Sequence, residues 1–155
     1  MKQILGLCLM LMLAFGCKSS QKISQKDLPE DFSLEIRRSP CMGTCPYFSL
    51  QLTADGMVTY TGKAHVANIG RFQKQISAEK RVQIRQELQQ SGFWEWPTEY
   101  DNGGLLDAPT TVLAATENGK THRLSIMVAR PEGFFTLVKK LENLIGEDGY
   151  QKAQN

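Results

Sequence analysis

From Phe32 onward the chain alternates apolar and polar positions. Phe32, Leu34 and Ile36 fall on one side and polar neighbours on the other, the period of a half-buried strand. The pattern returns at Phe48, Leu50 and Leu52, and Val58 and Tyr60 carry it onto a further strand. Asp55-Gly56 between these two supplies a tight hairpin turn, because glycine accepts positive φ. A fourth strand is predicted within Ala64 to Ile76, with an irregularity near Gly70. At Ser77 the period changes. Ser77 is a good N-cap, Glu79 suits the positive end of a helix dipole, and Ala78, Val82, Ile84 and Leu88 form one apolar side. This predicts a helix from Ala78 to about Gln90, stopped by Gly92. Phe93 to Asp107 (FWEWPTEYDNGGLLD) has no period and reads as a long loop. Two more strands, Thr110 to Glu117 and Lys120 to Val128, are joined by an Asn118-Gly119 turn. Pro131 is predicted to open a last helix, with Phe134, Leu137, Val138, Leu141, Leu144 and Ile145 at helical spacing and Gly146 closing it. The order ββββ-α-ββ-α with hairpin-linked strands predicts an α+β fold: an antiparallel sheet with both helices on one face.

The N-terminus follows a different pattern. Met1-Lys2-Gln3 precedes an apolar run from Ile4 to Phe15, then Gly16 and Cys17. That run falls short of the ~20 residues a spanning helix needs and fits the core of an export signal. Ala14-Phe15-Gly16-Cys17 resembles the lipobox read by lipoprotein signal peptidase, which implies cleavage before Cys17, a diacylglycerol thioether on its sulfur and an acyl chain such as palmitate on its new amine. Two or three chains anchor a protein stably, where one is marginal. Residues 1–16 are thus expected to be a signal peptide and 17–31 a lipidated, flexible tether. Residues 32–146 are expected to form one domain and 147–155 a polar tail. The absence of an aspartate after Cys17 points to an outer-membrane anchor, facing the periplasm or the cell surface.

Charge adds little. Of 18 basic residues only Lys2 lies in the signal, so the remainder nearly balances 16 acidic ones, and no like-charge run calls for nucleic acid as a partner. The cysteines say more. Cys8 leaves with the signal and Cys17 carries lipid, so Cys41 and Cys45 remain, and in an exported domain such a pair is expected to be a disulfide. Pro40 and Pro46 flank that loop and Gly43 allows its reversal.

Other chemistry competes for the same residues. Cys-x-x-x-Cys-Pro resembles the copper motif of the cytochrome-oxidase assembly chaperones, which implies two thiolates with a histidine, His122 or His65, as third ligand. In that family the motif leads into a helix, whereas a strand pattern follows Cys45. The same departure weighs against thiol–disulfide exchange, which favours a thiol at a helix N-terminus. His122 shares strand parity with Leu124 and Ile126 and is expected to be partly buried. In the aromatic loop, Trp94, Trp96, Tyr100 and Asp101, beside Glu95 and Glu99, are the residue types that stack on sugars and bond hydroxyls, although aromatics just after a helix also serve as a lid on a core. The acids of this loop are a third reading, a hydrolytic pair. No nucleophile elbow, phosphate loop, zincin helix or Rossmann turn is present, and no cofactor is expected.

Cys41-x-Gly43-x-Cys45-Pro46-Tyr47, the Asp55-Gly56 turn and Tyr60-x-Gly62 resemble a domain-of-unknown-function family of bacterial exported lipoproteins. The likeness continues through Gly70, Gly92-Phe93, Tyr100, Asp107-x-Pro109, Asn118-Gly119 and Pro131. It implies a small extracytoplasmic domain and supplies no catalytic residue. The expectation is a membrane-tethered, non-enzymatic binding module for a protein or saccharide partner. The alternative is a periplasmic thiol protein, copper carrier or redox partner, using Cys41 and Cys45.

Overall fold

The computed structural model describes residues 28–101 and 108–154. The expected signal peptide, the expected lipidation site Cys17 and most of the expected tether lie outside the described residues. The elements are β1 (Ser33–Arg38), β2 (Tyr47–Leu52), β3 (Met57–Ala64), β4 (Gly70–Gln75), α1 (Ala78–Gln90), a 3-10 turn (Phe93–Glu95), β5 (Thr111–Glu117), β6 (Lys120–Ile126), α2 (Phe134–Ile145) and β7 (Gln151–Lys152). The strands form one antiparallel sheet in the order β6-β5-β1-β2-β3-β4-β7, and both helices pack on one face, as the alternation predicts.

That face carries Leu34, Ile36, Leu50, Leu52, Val58, Leu113, Ala115, Leu124 and Ile126, all buried against Ile84 and Leu88 of α1 and Phe134, Leu137, Val138 and Leu141 of α2. The open face is polar. On it Glu35, Ala114 and Arg123 share a register row, and the Glu35–Arg123 ion pair, at 2.7 Å, spans the row over Ala114. This explains why β5, flanked by β1 and β6, has buried residues of both parities.

Register defines two ends of the sheet. Arg38, Phe48, Gly62, Gly70, Thr111 and Ile126 lie toward one end, called upper here. Ser33, Leu52, Met57, Gln75, Glu117 and Lys120 lie toward the other. The chain enters from residue 28 at the lower end, where the Asp31 carboxylate accepts the backbone N–H groups of Asn118 and Gly119.

Three boundaries differ from the sequence reading. The predicted fourth strand is split: Ala64 ends β3, His65 turns at φ 53°, and β4 begins at Gly70. Here residues 66–68 fold back over Gly62, where a Cβ would lie 1.8 Å from the Asn68 carbonyl oxygen. The last helix begins at Phe134 rather than Pro131, because Gly133 adopts φ 84° and the Pro131 carbonyl accepts the Phe134 N–H in a turn. Finally, residues 147–154 of the expected polar tail, 147–155, return to the sheet. Gln151 and Lys152 pair with Gln73 and Phe72 as β7, and Lys74 donates to the carbonyls of Gly146 and Asp148 at 2.6 and 2.9 Å, fixing the return.

Candidate functional site

The two helices do not cover the whole sheet face. At the upper end, between α2 and the β2–β3 side, an open cleft of about 1090 Å³ remains. Its floor is Phe48, Leu50 and Tyr60 from β2 and β3; Pro46 and the 65–68 segment edge it; and the C-terminal return contributes Gly146, Glu147 and Tyr150. α2 supplies Phe135, Lys139, Glu142 and Asn143, spaced i, i+4, i+7 and i+8. These occupy the stripe beside its buried residues Phe134, Leu137, Val138, Leu141 and Ile145. One helix thus serves the core and the cleft with adjacent faces.

Aromatic rings line the floor in a row. Phe48 and Tyr60 have centroids 5.6 Å apart, and Tyr60 and Tyr150 5.7 Å apart. Cations bound the row: the Arg38 guanidinium lies 5.6 Å from the Phe48 centroid and the Lys74 ammonium 4.2 Å from that of Tyr150. Arg38 also donates to both carboxylate oxygens of Glu142, at 2.9 and 3.0 Å, across the cleft's inner edge. Burial, with Tyr60 adding to it, pushes the Tyr150 phenol up to about 12. Burial also raises Tyr60 and lowers Lys74, the latter with help from Lys80. Of the four tyrosines in the chain, Tyr150 should therefore ionise with a midpoint near 12 in an absorbance titration. Replacing it with Phe should delete that step. The sign is fixed: the folded state holds the proton to higher pH than the unfolded chain, so this group's contribution to stability is lost as pH rises above about 10 toward its folded value.

The exposed large apolar side chains gather around the same end. Met42, Ile69, Val128 and Phe135 are 88, 58, 44 and 41% exposed, and each sits in an upper-end loop or at the first turn of α2. Scattered exposed apolar residues need no explanation, but a cluster beside a cleft marks a contact surface.

Apart from His65, the residues singled out from sequence lie elsewhere. Trp94 and Trp96 are half-buried and pack against the core with Tyr100. Their rings meet Phe93 at 5.2 and 6.2 Å, edge-on. None of the three lines the cleft, and Asp101 is exposed beside them. Phe93 itself is fully buried with its ring 4.8 Å from His122. His122 is buried as its strand parity predicts, and burial, then Lys120, lowers its pKa, opposed by Glu95 and a hydrogen bond to the Trp96 carbonyl.

Cys41 and Cys45 form a disulfide with Cα atoms 5.7 Å apart. The loop is fixed from below by Ser39, whose N–H donates to the Thr110 carbonyl and whose Oγ accepts the Thr110 N–H. The structure does not assemble the copper set. The sulfurs are bonded to each other, and His122 pairs with Ala115, four residues along β5 from the Thr111 that pairs with Arg38, which is ~13 Å of strand. His65 lines the cleft and is exposed. Among the described residues no three of His, Cys, Asp and Glu gather as a metal-holding group. So small a disulfide ring removes little unfolded-state entropy, so a Cys41→Ser/Cys45→Ser double variant should keep the fold and lose at most about 2 kcal/mol in urea unfolding.

The cleft escaped sequence reading because its walls come from five separate segments. Phe48, Leu50 and Tyr60 read as ordinary strand core, and Tyr150 sat in an expected tail. Tyr60-x-Gly62 was the available signal: a glycine directly opposite Phe48 invites a close crossing of backbone.

No curated protein matches the chain. Residues 32–145, from the first buried residue to the end of α2, match the family described as domain of unknown function DUF6438. With the match covering most of the chain and the whole helix-backed sheet up to α2, this protein belongs to the DUF6438 family.

Proposed function

We propose that this chain is a lipoprotein of the cell envelope, tethered through lipid on Cys17, whose domain works by binding rather than catalysis, with the upper cleft as its binding site. The observation that carries the reading is the cleft itself, a concave aromatic floor with the exposed Phe135 on its wall and the exposed Met42 and Ile69 in loops at the same end of the sheet. The side chains within it favour holding over reacting, since Glu142 commits both oxygens to Arg38. Export supports the disulfide, and the apolar run before Cys17 supports the tether.

Two measurements test it. Cys17→Ser should move the protein from the membrane pellet to the soluble fraction; unchanged pelleting defeats the tether. A photoreactive benzoylphenylalanine placed at Phe135 or Ile69 in the envelope-localised chain should give a discrete adduct that the same residue at Gln51, on the open face, does not. Equal labelling at all three positions, or none at any, defeats the cleft as the binding site.

A further inference from the structure

We infer that the cleft takes a neutral, oligomeric saccharide, an inference that rests on the cleft being the binding site. Four observations converge on this chemistry. The first is the floor. Phe48, Tyr60 and Tyr150 make a row of rings tilted 30° and 53° to one another, a stepped apolar surface against which successive sugar rings can lay the C–H faces that lack hydroxyls. The second is the polar edge. Arg38 Nη2 donates to both Glu142 carboxylate oxygens while a quarter to a third of each side chain stays exposed, and the exposed Asn143 amide follows Glu142 on the same helix. Planar groups of this kind, donor beside acceptor, match the spacing of vicinal hydroxyls.

The third observation is charge. The cleft's lining carries two permanent cations, Arg38 and Lys139, and two carboxylates, Glu142 and Glu147, while Lys74 at the Tyr150 end spends its ammonium on the Gly146 and Asp148 carbonyls. An anionic ligand would meet two acids and a cationic one two bases, so the balance favours a partner with no net charge. The fourth is size and shape. About 1090 Å³ lies just above the ~300–1,000 Å³ range of small-molecule pockets, which suits several linked rings better than one.

Other neutral occupants fit less well. A purely apolar ligand would cover the exposed part of the Arg38–Glu142 pair without replacing its hydrogen bonds to water. An extended peptide gains most of its affinity by adding to a free strand edge. The two strands that make this floor offer no such edge: β2 and β3 are each paired on both sides.

The test uses the full lipidated chain in phosphocholine nanodiscs, read by methyl NMR. Val66 and Ala67 line the cleft, and Ala114, on the open face, is the control. The probes are cellotetraose and chitotetraose as neutral oligosaccharides, free glucose, tetragalacturonic acid as an anionic one, and an uncharged hydrophilic heptapeptide. The neutral tetramers should shift Val66 and Ala67 but not Ala114, and bind more tightly than glucose and the acid. Tyr150→Ala should weaken them by about tenfold. Because Tyr150 also supports the C-terminal return, the exposed Asn143→Ala is the second variant, and it should weaken binding with an unchanged spectrum elsewhere. If only the peptide shifts the cleft methyls, or if the acid binds most tightly, the saccharide inference is overturned while the cleft stands as a binding site. Tetramers that shift Ala114 alone, or bind equally to both variants, overturn the inference and remove the cleft with it.

Discussion

Replacing Phe93 with Ala should lower the unfolding free energy by about 3–5 kcal/mol, the largest effect expected of any single substitution in the segment read from sequence as a binding loop. Phe93 has no exposed surface and its ring lies edge-on to Trp94, Trp96 and His122. Removing it leaves a void bounded by three rings that are themselves anchored, so the site cannot close cheaply. Urea unfolding of the variant measures the loss directly. A second readout separates packing from incidental damage. His122 is held below its usual pKa first by burial, so water entering the void should let the imidazole titrate closer to 6.5. The linkage runs in a definite direction. With a lowered folded pKa, the unfolded chain binds the proton first, so the wild-type protein loses stability as pH falls from about 6.5 toward the folded value, and Phe93→Ala should show a weaker acid dependence there. A stability change under ~0.5 kcal/mol with an unmoved His122, the norm for a surface position, would mean that Phe93 is a loop side chain after all.

The second large effect is expected at Gly62. A Cβ there would lie 1.8 Å from the Asn68 carbonyl oxygen and 2.9 Å from the Val66 side chain. The first obstacle is backbone, which cannot rotate out of the way as a side-chain tip would. Gly62→Ala should therefore lift the 65–69 segment off β3, costing about 1–3 kcal/mol as overpacking does. The sheet should survive, because β3 keeps β2 and β4 as partners. The cleft should lose one edge, since Val66, Ala67 and Asn68 line it. NMR should show shifts confined to residues around 60–70 and the cleft, together with weakened ligand binding. Gly119→Ala is the matched control: its φ of 75° brings backbone strain, but no atom lies within 4 Å of the added Cβ. It should therefore destabilise without touching the cleft. Gly62→Ala with intact 65–69 resonances would show that the segment does not depend on the missing side chain.

Much of the fold was legible because its signals are local. The alternation at Phe32–Ile36 and Phe48–Leu52 has the period of a strand, and the residues that alternate inward are the buried ones. Ser77 caps α1 as its side chain predicts, accepting the Lys80 N–H. The Asp55-Gly56 and Asn118-Gly119 turns sit between the strands they were expected to join, both glycines at positive φ. The Cys41–Cys45 disulfide agrees with the pair left once Cys8 and Cys17 were assigned to an expected signal and lipid anchor. Where local signals misled, a competing geometry won. Pro131 has the conformation of a helix start, but Gly133 at φ 84° delays the helix to Phe134. Trp94, Trp96 and Tyr100 carried two readings, a binding surface and a lid on the core, and they pack against the core beside Phe93.

What the sequence alone determined about this protein is therefore its class, its elements and its staple: an α+β domain whose strands and helices are written in periods of two and 3.6, closed by turn glycines and one cysteine pair. Those are short-range properties, set by backbone sterics and by which side of each element is apolar. Tertiary structure decided the rest. Only packing places β5 beside β1 and recruits Gln151 and Lys152 as a seventh strand, because pairing between distant strands depends on which edges meet. Only packing assembles the cleft, whose floor, edge and helical wall are separated by as many as 112 positions between Arg38 and Tyr150. No local pattern marks it, since each of those residues satisfies its own element's period equally well with or without a ligand to hold.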